Sequence, residues 1–118
     1  MKNYINKVQL LGHLGQDPEI KSINENMSLV KMTLATNESF KDKNGEYQTK
    51  TQWHNLTAWG KLATNMADKL GKGSFVLING KLEHNSWEDK AGNKKYGTNV
   101  VVQDYLLVQK SVAEAVEA

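Results

Sequence analysis

Trp53 and Trp59 stand six positions apart in 51-TQWHNLTAWG-60, a stretch whose residue types suit a β-strand. Strand side chains alternate between faces, so residues of equal parity share one. Thr51, Trp53, Asn55, Thr57 and Trp59 then lie on one face, and Gln52, His54, Leu56 and Ala58 on the other. If the Leu56 face is the core, two indoles are left on a polar outer surface, where their flat faces are open to stacking by other π systems. The opposite arrangement buries Asn55 and Thr57 between the tryptophans and obliges both to find hydrogen-bond partners.

Two more rings occur beside cations. Phe40 precedes Lys41 and Lys43, and Trp87 precedes Lys90, Lys94 and Lys95, with Tyr96 closing the segment. Rings interleaved with lysine suit a polyanion that carries its own flat rings, one group stacking while the other is neutralised. The chain holds 15 basic residues, every one a lysine. Arginine is the usual fork for reading guanine edges, whereas lysine acts as a point charge, so backbone contact is expected rather than sequence readout. The candidate phosphate contacts are Lys7, Lys21, Lys41, Lys43, Lys61, Lys72, Lys90, Lys94 and Lys95. Net charge is +2 over the whole chain, and residues 1–110 carry 15 lysines against 11 acids, a mildly basic balance compatible with such a partner.

Catalytic constellations are not apparent. His13, His54 and His84 are scattered and form no HExxH. Asp17 and Glu19 fall in 15-GQDPE-19, a turn signal containing the only proline. The stretch 71-GKGS-74 looks like part of a phosphate loop, but it lacks the earlier glycine at the required spacing and follows a helix rather than a strand. With no cysteine there is neither a disulfide framework nor a thiolate metal site. No nucleophile–base set can be named, so the chain is expected not to be an enzyme and to use no metal or cofactor. No apolar run approaches a membrane span, and the N-terminus is too short in apolar residues for a secretory signal. A cytoplasmic location is the default expectation.

The elements that must hold these rings follow from periodicity. The chain of 118 residues has the size of one domain. Strands are expected over 4–14, 28–36, 51–59, 74–87 and 96–110, with Val30, Met32 and Leu34 facing one way and Lys31 and Thr33 the other. Asn44-Gly45 signals a hairpin inside 37-NESFKDKNGEYQTK-50, and Gly92-Asn93 centres a second loop. Leu62, Met66 and Leu70 recur at helical spacing in 61-KLATNMADKL-70, with Gly71 placed to cap the C-terminus. Tyr4, Phe75, Tyr105 and Tyr47 are assigned to packing or interfaces. The order is β-β-β-α-β-β: an all-β class with one helix, a five-stranded oligonucleotide/oligosaccharide-binding (OB-fold) barrel whose helix lies between strands 3 and 4. Residues 1–110 form the domain and 111–118 a flexible C-terminal tail.

At these residues the chain resembles the bacterial single-stranded DNA-binding proteins. The resemblance spans about residues 5–108 and includes 6-NKVQLLGHLGQDPEIK-21, 33-TLATNESFKDKNGE-46, 51-TQWHNLTAWGKLA-63, 71-GKGSFVLINGKL-82 and 86-SWEDKAGNKKYGTNVVV-102. It implies an OB-fold protein that coats single-stranded DNA in replication, recombination and repair, cytoplasmic and nucleoid-associated, as a homotetramer (a dimer of dimers). It also implies stacking roles for Phe40, Trp53, Trp59 and Trp87. Phe40 stands where tryptophan is frequent in the family, and Trp59 where phenylalanine is frequent; both keep a π-face. His54 falls at a position used near the subunit interface, to which the edge strand 4-YINKVQLL-11 adds Tyr4, Val8 and Leu10. Family members commonly continue into a long Gly/Pro/Gln-rich tail whose acidic, hydrophobic tip recruits repair enzymes. The end 111-SVAEAVEA-118 has no such tip, so recruitment of replication and repair proteins is not carried over. The alternative is a primosome-type accessory protein of the same fold, acting mainly through protein–protein contacts.

Overall fold

Alternation along 28–36 places Val30, Met32 and Leu34 on one side, and all three are buried in the computed structural model, which describes residues 5–110. The chain runs β1 (Val8–Leu14), β2 (Glu19–Asn24), β3 (Met27–Lys41), β4 (Tyr47–Trp59), α1 (Gly60–Lys69), β5 (Phe75–Glu88) and β6 (Lys94–Gln109). The sheet order is β1-β5-β6-β4-β3-β2, with β1 also pairing β3. That extra pairing, His13 with Ala35 and Leu14 with Leu34, closes β1, β5, β6, β4 and β3 into a five-stranded barrel. The β4–β6 pair is parallel, and the other pairs are antiparallel. The closure depends on Gly12, where an added β-carbon would lie 2.1 Å from the Ala35 carbonyl oxygen. This is the OB-fold.

Val30, Leu34, Leu56, Met66, Val76 and Ile78 fill the interior. α1 contributes Ala63 and Met66, so it packs against the barrel through the stripe marked by its Leu62–Met66–Leu70 spacing. Tyr105 on β6 donates its hydroxyl to the Asn65 side chain on α1, tying helix to sheet. Burial beside that helix, and then the charge of Asp68, hold the Tyr105 phenol above its ordinary pKa.

Three features differ from expectation. The helix follows the third barrel strand as predicted, but β2 is an additional strand, so helix and neighbours are numbered one later. All six residues of β2 are exposed, and no apolar alternation announces it. The second and third barrel strands run far beyond 28–36 and 51–59, as a hairpin arm in which residues 37–41 and 47–50 are exposed throughout apart from the turn. Gly71 is not a left-handed cap: the helix ends on buried Leu70 in an extended conformation, and the left-handed glycine is Gly73 at φ 89°. Tyr4 and the tail expected at 111–118 lie outside the described residues.

Candidate nucleic-acid interface

Register decides which way β4 faces. Val30 pairs Ala58, Met32 pairs Leu56 and Leu34 pairs His54; five of these six residues are buried and His54 is half-buried. The alternate pairs are Leu29 with Trp59, Lys31 with Thr57, Thr33 with Asn55 and Ala35 with Trp53. Directly paired residues share a face, so the two tryptophans stand on the outer side, with Trp53 63% and Trp59 45% exposed against 1% for Leu56. Asn55 between them is exposed, and buried Thr57 accepts a hydrogen bond from Asn99 Nδ2 at 2.6 Å.

The other two rings stand on hairpins that extend this face. Phe40 lies on β3 and Trp87 on β5, each about half exposed at 48% and 52%. Trp87 lies against Gly97, where a β-carbon would come within 3.1 Å of the ring. Both hairpins end in the same construction. Asp42 Oδ1 accepts the backbone N–H groups of Asn44 and Glu46, and Asp89 Oδ1 those of Ala91 and Asn93. Gly45 and Gly92 supply the left-handed residue at φ 82° and 83°. The Glu46 N–H foremost, and then the Gln48 side-chain amide, hold the Asp42 carboxyl below its ordinary pKa. Lys41 and Lys43 flank the first tip, and Lys90, Lys94 and Lys95 the second.

All nine lysines singled out from sequence are exposed. Lys95 pairs Trp87 across the β5–β6 hairpin, and Lys21 belongs to the cross-strand row Lys21–Leu29–Trp59. Lys61 follows Trp59 on the first turn of α1. Lys72 sits in the α1–β5 loop, its N–H held by Asp17 Oδ1 at 2.7 Å. That contact, with Gly71 N–H donating to Ser74 Oγ, fills 71-GKGS-74 with the chain's own groups. Lys7 precedes β1, next to Asn6, whose side chain bonds the Leu82 backbone on β5. The histidines do not converge: His54 bonds Thr36, His84 bonds Thr98, and His13 stacks on Phe75 with centroids 4.6 Å apart. Tyr47, expected to pack, is 77% exposed because it opens the arm beyond the barrel. Val8 and Leu10, expected at a subunit interface, pack partly against the core, while among the described residues β1 from Val8 to Gly12 pairs only with β5.

Trp59 and Trp87 line one open groove of about 650 Å³, floored by Thr33, Asn55 and Asn99. Trp53 and Phe40 lie outside it on the same β3–β4 ribbon.

Residues 5–108 match the Single-strand binding protein family. The chain belongs to that family. Single-stranded DNA-binding protein 1 of Chlorobaculum tepidum is 49% identical over 105 residues, a match covering 88% of this chain and 65% of that protein, so the chain spans just under two thirds of that relative. The structure described as a Plasmodium falciparum SSB complex with ssDNA aligns at a TM-score of 0.81 and 29% identity, covering 92% of this chain and 99% of that one.

This single-strand binding family chain also carries groove residues that composition did not single out: Lys31, Glu19, Glu83, Asn85 and Asn99. For Lys31 the signal was its parity opposite Val30 and Met32, which puts it on the outer face with Trp59, paired with Thr57, once register is known. Glu83 and Asn85 precede Trp87 at even spacing on an exposed strand and share its face for the same reason. No helix among the described residues is long and apolar enough to cross a membrane.

Proposed function

We propose that this chain binds single-stranded DNA without reading sequence, unpaired bases stacking on Phe40, Trp53, Trp59 and Trp87 while the hairpin lysines and their neighbours neutralise phosphate. One observation carries the proposal: Trp53 and Trp59 stand outward on the row whose neighbours in sequence, Leu56 and Ala58, are buried. A ring on a solvent-facing strand is a platform that accepts any base, because every base has a π-face. Duplex bases are already stacked and cannot use it. Family membership supports coating of exposed strands in replication, recombination and repair, in a cytoplasmic, nucleoid-associated setting and without catalysis. The accessory-protein alternative gives no reason for four half-exposed rings beside lysine-rich hairpins.

The homotetramer rests on the family resemblance, helped by the β1 edge between Val8 and Gly12, which no strand among the described residues pairs, and by exposed Leu11, Leu106 and Val108 on the outer β1–β5–β6 face. In it Val8 and Leu10 would sit at the paired edge and His54 near the interface. Sedimentation at micromolar concentration tests it, and a monomeric mass contradicts it.

The deciding experiment for DNA binding is titration of tryptophan fluorescence with a mixed-sequence unpaired oligomer and with a hairpin duplex of the same composition. Strong quenching by the first alone is expected. Equal responses would refute stacking.

A further inference from the structure

Resting on that reading, we infer that Tyr47 is a further base-stacking platform, which carries the single strand outward from Trp53 along the β3–β4 arm to its tip.

The β3–β4 register runs without a shift from the Leu29–Trp59 pair to the Lys41–Tyr47 pair. Alternation therefore holds along the whole ribbon, and Tyr47, Trp53 and Trp59 share one face of β4 at intervals of six residues. At the rise of an extended strand each interval is about 20 Å. Phe40 does not continue this row, because it pairs with Gln48, one position off it. Tyr47 is 77% exposed, more than Trp53, Trp59, Phe40 or Trp87. A ring so open adds little to packing. Among the described residues, the ring–ring and cation–ring contacts lie elsewhere, His13 with Phe75 and Lys94 with Tyr96.

The lane between Trp53 and Tyr47 suits a nucleotide chain. On the shared face it consists of two cross-strand pairs, Asn37 with Thr51 and Ser39 with Thr49, all four exposed. The Thr51 hydroxyl donates to Asn37 Oδ1 at 2.6 Å, which confirms that this pair shares a face. These side chains are uncharged and smaller than the rings at either end, so they neither block the path nor repel phosphate. The one charge on this face of the arm is Lys41, directly across from Tyr47, while Glu38 sits in the alternate row opposite Lys50. A ring paired with a lysine repeats the Trp87–Lys95 arrangement on the second hairpin.

The backbone under the ring is also fixed. Asp42 accepts the Glu46 N–H at 2.9 Å and the Gln48 side-chain amide at 3.1 Å, so the residues on both sides of Tyr47 are tied to one carboxylate. A platform held in place costs less ordering when a base docks. Strand propensity by itself also favours tyrosine, but threonine, already present at 49 and 51 on the same face, satisfies it without a ring.

The test titrates a mixed-sequence unpaired oligomer by fluorescence anisotropy, across a salt series, with the wild-type chain, Tyr47→Thr and Tyr47→Phe. Tyr47→Thr keeps a strand-favouring residue and removes the ring. It is expected to weaken binding about fivefold or more, the low end of what one stacked base contributes, with the salt slope unchanged. Tyr47→Phe keeps the ring and should bind like the wild type. Tyr47→Trp reads the contact directly: it adds an indole to the three of the wild type, and the oligomer should quench the added emission. Sedimentation of Tyr47→Thr should give the wild-type mass. Wild-type affinity in Tyr47→Thr, equal losses in Tyr47→Thr and Tyr47→Phe, added emission that stays unquenched, or an altered mass overturns the inference while single-strand binding stands. If the wild type does not bind the oligomer, the functional proposal fails and the inference falls with it.

Discussion

Gly15 lies so close against Trp53 that a β-carbon on it would sit 2.5 Å from the indole ring and 2.9 Å from the Thr33 hydroxyl. The ring is therefore seated on backbone. Gly15 follows β1 directly, and its N–H donates to the Thr33 carbonyl at 3.0 Å, which fixes the seat relative to the row that carries Trp53.

Gly15→Ala should displace the Trp53 ring. The expected loss in single-strand affinity is a large part of that caused by Trp53→Ala, and the two changes should not add when combined, because they act on one ring. Oligonucleotide titrations of both single variants and the double variant check this. Additive losses would mean that Gly15 acts on binding by some other route.

The outward face of β4 was legible because Leu56, Ala58 and the Val30–Met32–Leu34 series give a strong contrast between faces. The extent of the arms was not. Residues 37–41 and 47–50 are exposed on both faces, so no apolar alternation reveals it, and only Asn44-Gly45 marked the turn. β2 was hidden for the same reason. The groove between Trp59 and Trp87 joins residues from β3, β4, β5 and β6 through cross-strand register, information that a single strand's pattern does not contain. Gly71 misled because its place after a helix suits a cap, whereas here buried Leu70 ends the helix and Gly73 makes the turn.

Stacking and charge separate on a salt titration. Trp53→Ala should cost about 1–3 kcal/mol if the ring holds one base, with the salt dependence nearly unchanged. Lys43→Ala should cost less but flatten the slope of log affinity against log salt by about 0.7 for one lost single-strand phosphate contact. Anisotropy titrations of both variants across a salt series distinguish them. Identical slopes for Lys43→Ala and the wild type would remove Lys43 from the phosphate path.

The first hairpin tip should respond to acid in a defined direction. Asp42 takes hydrogen bonds from the Glu46 N–H, the Gln48 amide and the Asn44 N–H, which lower its folded pKa below the ordinary 3.8. A depressed folded value means that the tip's extra stability is complete above the unfolded value and lost as pH falls through the folded one. Amide resonances of Asn44 and Glu46 should therefore titrate with a midpoint below 3.8, and Asp42→Asn should abolish that titration. A midpoint above 3.8 would contradict the hydrogen-bonded carboxylate.

Leu56 and Trp53 test the facing of the central strand from its two sides. Leu56 is fully buried among Met32, Val100 and the rest of the core, so Leu56→Ala removes methyl groups from a closed interior and should cost about 2–5 kcal/mol of stability. Its affinity, measured well below the lowered melting temperature, should stay near that of the wild type. Trp53→Ala removes a ring whose outer side faces solvent and whose loss uncovers Ala35 and Gly15, two residues with little apolar surface. It should shift the melting temperature little while weakening DNA binding. Trp59→Ala is intermediate, because Leu29 in its cross-strand pair is buried and loses part of its cover, so some stability goes with the affinity. Melting curves and oligonucleotide titrations on the three variants give the order directly. If Trp53→Ala unfolds the protein while Leu56→Ala stays folded and binds weakly, the strand faces the other way, and the stacking surface proposed here does not exist.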